Sequence, residues 1–176
     1  MVDLKKGLSI LTKNSFGKSL KYEWLGRFDQ QVDTKFHLDN SANESFLLLG
    51  YEPTEIESEL YIADYVKCAL DHGIEPAKYF DRFNPVIADN AEILEPYTKK
   101  IPGFRKDSFR IVLINNSNSQ PECETLGVLH MARIKNADAD KSRIVNSMML
   151  TMVSEKCGAK EKDAEKSFLL TDNISK

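Results

Sequence analysis

Short apolar runs punctuated by glycine dominate the first part of the chain. Residues 8–11, 20–25 and 32–38 read as short strands, set apart by Gly7, Gly17 and Gly26. Ser45–Tyr51, SFLLLGY, is an apolar run that ends before Pro53 and predicts a buried strand. From Thr54 the period changes. Thr54 and Glu57 have capping-box spacing, and Leu60, Ile62, Ala63, Val66, Ala69 and Leu70 make a broad apolar face at helical spacing. Gly73 is a natural stop for that helix. A second short helix is expected from Pro76 to just before Asn84, which would complete a helical insertion over about 54–83. Residues 84–107 have no clear period and read as a long loop, suited to a lid. Strands resume at 109–114, 127–134 and 143–153, the last two joined by the turn NADADK at 136–141. Many short strands around one substantial helix favour a mainly β fold, a sandwich or jelly roll with one or two helices packed outside. Residues 1–153 are expected to form one such domain, followed by a charged tail or helix at 154–176.

Composition narrows the class. A chain of 176 residues can bury a full core without disulfides or metals, and 41% hydrophobic with 29% charged residues is ordinary for a soluble globular protein. A formal charge of -3 without a basic cluster argues against non-specific nucleic-acid binding. No apolar run approaches the roughly 20 residues of a membrane helix, and MVDLKKGLSILTKN lacks the apolar centre of a secretory signal. Cys68, Cys123 and Cys157 are odd in number, far apart and free of CxxC spacing. They predict reduced thiols in a cytoplasmic protein rather than a disulfide framework or a zinc ribbon. Association into a homo-oligomer is left open.

Three histidines are present, at 37, 72 and 130. His37 and Asp39 form an H-x-D. On an extended backbone their side chains share a face at about 7 Å between Cα atoms, close enough to ligate one ion. His130 lies in GVLHMARI, a strand-like segment far along the chain. Two imidazoles and one carboxylate leave three positions open on an octahedral ion, the arrangement suited to non-haem ferrous iron. Ca and Mg prefer all-oxygen sites. Arg143 opens the next strand. If that strand pairs with the His130 strand across the NADADK turn, the guanidinium stands near the level of His130 and can grip a carboxylate in two-pronged fashion. His72, at the expected helix C-terminus, reads as structural.

The order H-x-D, distal His, then Arg on the final strand resembles the Fe(II)/2-oxoglutarate-dependent dioxygenases, over roughly residues 30–153. The resemblance implies a double-stranded β-helix, the cupin-like jelly-roll barrel. It also implies Fe(II) held by His37, Asp39 and His130, with 2-oxoglutarate as cosubstrate and its distal carboxylate on Arg143. Members of that family often carry Arg-x-Ser; here Ile144 and Val145 follow Arg143, and Ser147 lies about 13 Å further along a strand. Tyr51 and Asn115 are therefore candidates for the second contact to the cosubstrate. The substrate, a small molecule or a peptide-like chain, is not written in these residues, because such pockets are built from loops.

Two other classes compete. One is a cupin-type metal enzyme that does not use 2-oxoglutarate, in which Arg143 is dispensable. The other is a non-catalytic β-sandwich binding module. There His37 and Asp39 belong to a turn, His130 is a core histidine, and Arg143 is a surface charge paired with Asp138 or Asp140.

Overall fold

The computed structural model describes residues 1–39, 43–80, 91–119, 127–154 and 159–175. The protein is mainly β, with two antiparallel sheets and a few helices. Helix α1 (Val2–Phe16) leads into β1 (Ser19–Asp29), β2 (Ser45–Tyr51) and β3 (Ser58–Ala63). Helices α2 (Tyr65–Asp71) and α3 (Ala91–Leu94) precede β4 (Thr98–Lys100), β5 (Arg110–Asn115), β6 (Leu129–Ile134), β7 (Ile144–Val153) and α4 (Ala159–Leu170). The larger sheet has the order β1-β7-β2-β5 and the smaller β4-β3-β6. Among the described residues no helix is long and apolar enough to cross a membrane.

The strand faces explain the apolar pattern. Leu47, Leu49 and Tyr51 of β2 join Ile114, Val145 and Met149 in the cluster between the sheets. The alternate residue Leu48 packs with Leu20, Met148, Leu150 and Val2 on the opposite face, under α1. A central strand buried on both faces has no polar side, so SFLLLGY is apolar throughout. In the smaller sheet Leu60 pairs with Ala132 and Ile62 with His130. These side chains face the larger sheet, while Ala63 and Leu129 pack beneath Tyr65, Val66 and Ala69 of α2.

Several expectations are corrected. Residues 8–11 lie within α1, not in a strand. Val2, Lys5 and Thr12 recur on its buried side, and Ile10 and Leu11 of the apolar run are exposed. Gly17, at φ 68°, ends the helix in a left-handed conformation that suits glycine. The helix expected from Thr54 begins only at Tyr65, and Ser58–Ala63 is β3, the centre of the smaller sheet. Its N-cap is Asp64, whose carboxylate accepts from Lys67 N at 2.8 Å. The Thr54 hydroxyl donates instead to the Ser142 carbonyl at 2.7 Å. Pro76 does open a short helical turn; the expected end near Asn84 lies outside the described residues.

The expected loop at 84–107 is partly built. Residues 91–100 hold α3, a 3-10 turn and β4, with Leu94 fully buried and β4 paired to β3. Residues 84–90 lie outside the described ones. The strands predicted at 109–114, 127–134 and 143–153 are β5, β6 and β7, each within a residue or two of the expected bounds. However, β6 and β7 do not pair: the 136–141 turn carries the chain from one sheet to the other. Gly127 allows a close approach just before β6, since a Cβ there would stand 2.0 Å from the Ser117 carbonyl oxygen.

Candidate metal centre

The segment expected as a strand at 32–38 runs along the free edge of β6. Thr34 N donates to the Ala132 carbonyl at 2.9 Å, and the Thr34 hydroxyl accepts from Ala132 N at 2.8 Å. His37 and His130 then exchange both backbone hydrogen bonds, at 3.1 and 3.0 Å. Three residues on one side span two on the other, so the segment carries one extra residue and its regular ladder is broken. Phe36, the neighbour of His37, is buried in the helical layer. The paired backbones set the two imidazoles side by side, with ring centroids 4.2 Å apart.

Asp39 completes the group. Its Oδ1 lies 3.4 Å from His37 Nε2 and 4.0 Å from His130 Nε2, and one ligand atom from each of the three residues falls within 4.8 Å of the others. Metal bonds of about 2.0–2.2 Å put adjacent ligands about 3 Å apart, so this group could hold one ion after small side-chain rotations. His37 Nδ1 lies 2.7 Å from the Lys35 carbonyl, which holds a proton on Nδ1, so Nε2 faces Asp39 and a bound metal would take the place of its second proton.

Electrostatics treats the two imidazoles differently. Burial, with His37 alongside, pushes His130 down to about 4, so its imidazole is an uncharged donor at neutral pH. Burial also acts to lower His37, but the hydrogen bonds to Asp39 and the Lys35 carbonyl outweigh it and raise the group overall. Burial acts to raise Asp39, and the hydrogen bond and charge of the histidines outweigh it, so the carboxylate is held low. His130 Nδ1 is buried without a hydrogen-bond partner among the described residues.

Asn116 is the site residue that the sequence did not single out. It is fully buried; its amide donates to the Asp39 carbonyl at 3.2 Å and its Oδ1 accepts from Asp39 N at 3.2 Å. This two-way clamp holds the Asp39 backbone from the larger sheet. Asn116→Ala is expected to weaken Mn(II) binding by about 10–100-fold, the range for losing an outer support of a ligand. It should also cost about 1–3 kcal/mol of stability. Calorimetric Mn(II) titration beside chemical denaturation checks both, and unchanged affinity would show that Asp39 needs no such support. Its neighbour Asn115 sits opposite Phe46, which packs on the α1 side of the larger sheet, and its Oδ1 accepts from Ser117 N at 3.1 Å. The structure does not bring Asn115 to the metal group.

The triad opens into a cavity of about 470 Å³ between the sheets. Tyr51, Gln30, Leu49, Ser147 and Met149 are among its walls. Arg143 is 1% exposed and lies behind that wall. Nε donates to the Ser58 hydroxyl at 2.9 Å, and Nη1 donates to Gln30 Oε1 at 2.8 Å and to the Gln30 carbonyl at 3.3 Å. The guanidinium carbon stands 5.0 Å from the centre of the Tyr51 ring. Among the described residues Nη2 has no hydrogen-bond partner by geometry, and no carboxylate ion-pairs with this side chain. Asp29, whose Oδ1 accepts from Arg143 N at 2.8 Å, and the Tyr51 hydroxyl both support its charge. Arg143 also lines a second cavity of about 400 Å³ together with Tyr51 and Ser58. It is therefore neither a surface charge nor a partner of Asp138 or Asp140. Ser147, which lines the metal-site cavity, is buried and its hydroxyl has no hydrogen-bond partner among the described residues. His72 lies at the C-terminus of α2, its Nδ1 2.8 Å from the Cys68 carbonyl, outside the site.

Comparison with protein-family models, with curated proteins and with solved structures returned no match.

Proposed function

We propose that the protein is an Fe(II)- and 2-oxoglutarate-dependent oxygenase on a jelly-roll barrel. Strand connectivity supports the barrel. Counting the segment along β6 as a strand, the chain passes from β1 to the smaller sheet, back to β2, over to β3 and β4, back to β5, over to β6 and back to β7. Repeated crossing between two facing sheets is how a jelly roll is wound.

The observation that carries the functional reading is a pairing of two sites. A His-Asp-His donor set opens into a cavity, and two of that cavity's walls, Gln30 and Tyr51, rest on a fully buried guanidinium. A buried cation that makes no ion pair among the described residues, with only the charge of Asp29 and the Tyr51 hydroxyl to support it, is costly, and a spare donor on Nη2 suits an incoming carboxylate.

His37, Asp39 and His130 would hold the metal and leave its cavity side open. When bound, Fe(II) and 2-oxoglutarate supply an oxidation in which oxygen is consumed, the keto acid loses carbon dioxide to give succinate, and a substrate C–H bond is hydroxylated. Arg143 would orient the distal carboxylate through Nη2 and, with the Gln30 amide displaced, through Nη1. Leu49, Leu60 and Met149 would keep bulk water from the reacting centre.

One observation favours a cupin-type metal enzyme instead. Gln30 and Ser58 already occupy most donors of Arg143, and the guanidinium does not itself line the metal cavity. Succinate release from 2-oxoglutarate by the Fe(II)-loaded protein separates the two. Turnover above that of the His130→Ala protein is expected. Its absence, with iron bound, would favour the cupin-type reading, and failure to bind any divalent metal would favour the non-catalytic sandwich.

A further inference from the structure

The outer wall of the metal cavity carries an arrangement that metal binding does not use. In β1, Tyr22 lies opposite Leu150 and Trp24 opposite Met149, so Glu23 is an extra residue and β1 bulges there. Leu20, Tyr22 and Leu25 pack toward the helices, whereas Glu23, Trp24 and Phe28 line the cavity. The bulge thus turns two successive side chains inward, where a regular strand turns one. Gly26 makes room for the indole: a Cβ there would stand 2.3 Å from Trp24 Cη2. The indole lies over that bare backbone, 6.3 Å from the Phe28 ring, and keeps 48% of its surface exposed.

Apart from the histidines of the triad, the charged side chains at this mouth are acidic. The cavity lining holds two carboxylates, Glu23 and Asp39, and no lysine or arginine among the described residues. Asp39 is engaged by the histidines. Glu23 is exposed and has no ion pair with a described residue. A large aromatic face beside a free carboxylate, above an apolar wall of Leu49, Leu60 and Met149, matches one ligand chemistry. An ammonium head gains from the ring quadrupole and from the carboxylate, while its aliphatic stem stays out of water.

We propose that Glu23 and Trp24 form the substrate-head subsite and that the substrate carries an ammonium group, with its stem running toward the metal. The direction of the stem rests on the metal-centre reading; the binding of the head does not.

Trp24 is the single tryptophan of the chain, so its fluorescence reports on this subsite alone. The full-length, metal-free protein is titrated with choline and with its uncharged carbon isostere, 3,3-dimethylbutan-1-ol. The ammonium is expected to bind about tenfold more tightly, and Glu23→Gln to remove most of that preference. Glu23 is exposed, so this variant keeps the fold. Gly26→Ala displaces the indole and is expected to weaken choline binding as well. A capped Gly-Lys-Gly peptide that binds more tightly than n-butylammonium would assign the head to a lysine side chain. The reverse order would assign it to a free amine. Equal affinity for choline and its isostere, or full preference retained in Glu23→Gln, overturns the proposal. Because no metal is present, either result leaves the test of the metal centre untouched.

Discussion

Replacing His130 with alanine should abolish tight Fe(II) binding while the two sheets stay folded. In the proposed centre metal affinity would rest on three side chains, and His130 supplies one of the two imidazoles among them. Losing a supporting contact outside the ligand shell commonly costs 10–100-fold; losing a ligand should cost at least about 100-fold. The fold should survive because His130 contributes to it through its backbone, in its bonds to His37 and its pairing with Ile62. Its side chain is a structural burden without metal, with Nδ1 buried and without a hydrogen-bond partner among the described residues. An unpaired buried polar group costs about 1–3 kcal/mol, which offsets much of the cavity left by the ring. Anaerobic titration with Fe(II), or with Mn(II) as a redox-silent probe, should show no tight site in His130→Ala or Asp39→Ala. Thermal unfolding of the apo proteins should differ little from the parent. Iron bound by His130→Ala as tightly as by the parent would mean that the three residues are not the ligand set.

The second large effect concerns Arg143. Arg143→Met keeps much of the volume and removes the charge. In the iron-loaded, oxygen-free protein it should leave metal binding within about threefold and weaken 2-oxoglutarate by roughly two to four decades. That range corresponds to about 3–5 kcal/mol for a buried carboxylate deprived of its cationic partner. Arg143→Lys should recover only part, since an ammonium cannot make the two-pronged contact. Arg143 also ties Gln30 to Ser58 across the sheets, so each variant is compared at matched folded fraction. Arg133 is the control. It lies on the outer face of β6, 5.9 Å from the Tyr61 ring, and Arg133→Ala should bind 2-oxoglutarate like the parent. Equal affinity in the parent and Arg143→Met would remove 2-oxoglutarate from the mechanism and leave the cupin-type metal enzyme.

What was legible in the sequence follows the local period of the backbone. SFLLLGY and the runs that became β5 to β7 were legible as short apolar stretches bounded by turn residues, and the shared face of His37 and Asp39 as alternation along an extended chain; one stretch of residues specifies each by itself. The grouping of His37, Asp39 and His130 could be anticipated for the same reason: each lies on or beside an extended segment, and two of them are two positions apart. The choice between helix and strand at Ser58–Ala63 was not local. Leu60 and Ala63 fit either period, and pairing with both β4 and β6 decided for strand. The same holds at 8–11, where an apolar run belongs to a helix because α1 lays one stripe on the larger sheet. The surroundings of Arg143 were also out of reach. An NADADK turn suggests a hairpin, but here it crosses between sheets, and Arg143 meets Ser58 and Gln30 instead of the level of His130. The Asn116 clamp and the bulge at Glu23 come from strands joined only in the fold. Side-chain alternation is a property of the chain and can be read along it. Which strand lies beside which, and where a ladder takes an extra residue, is settled by burial of the whole core, and no single segment carries that information.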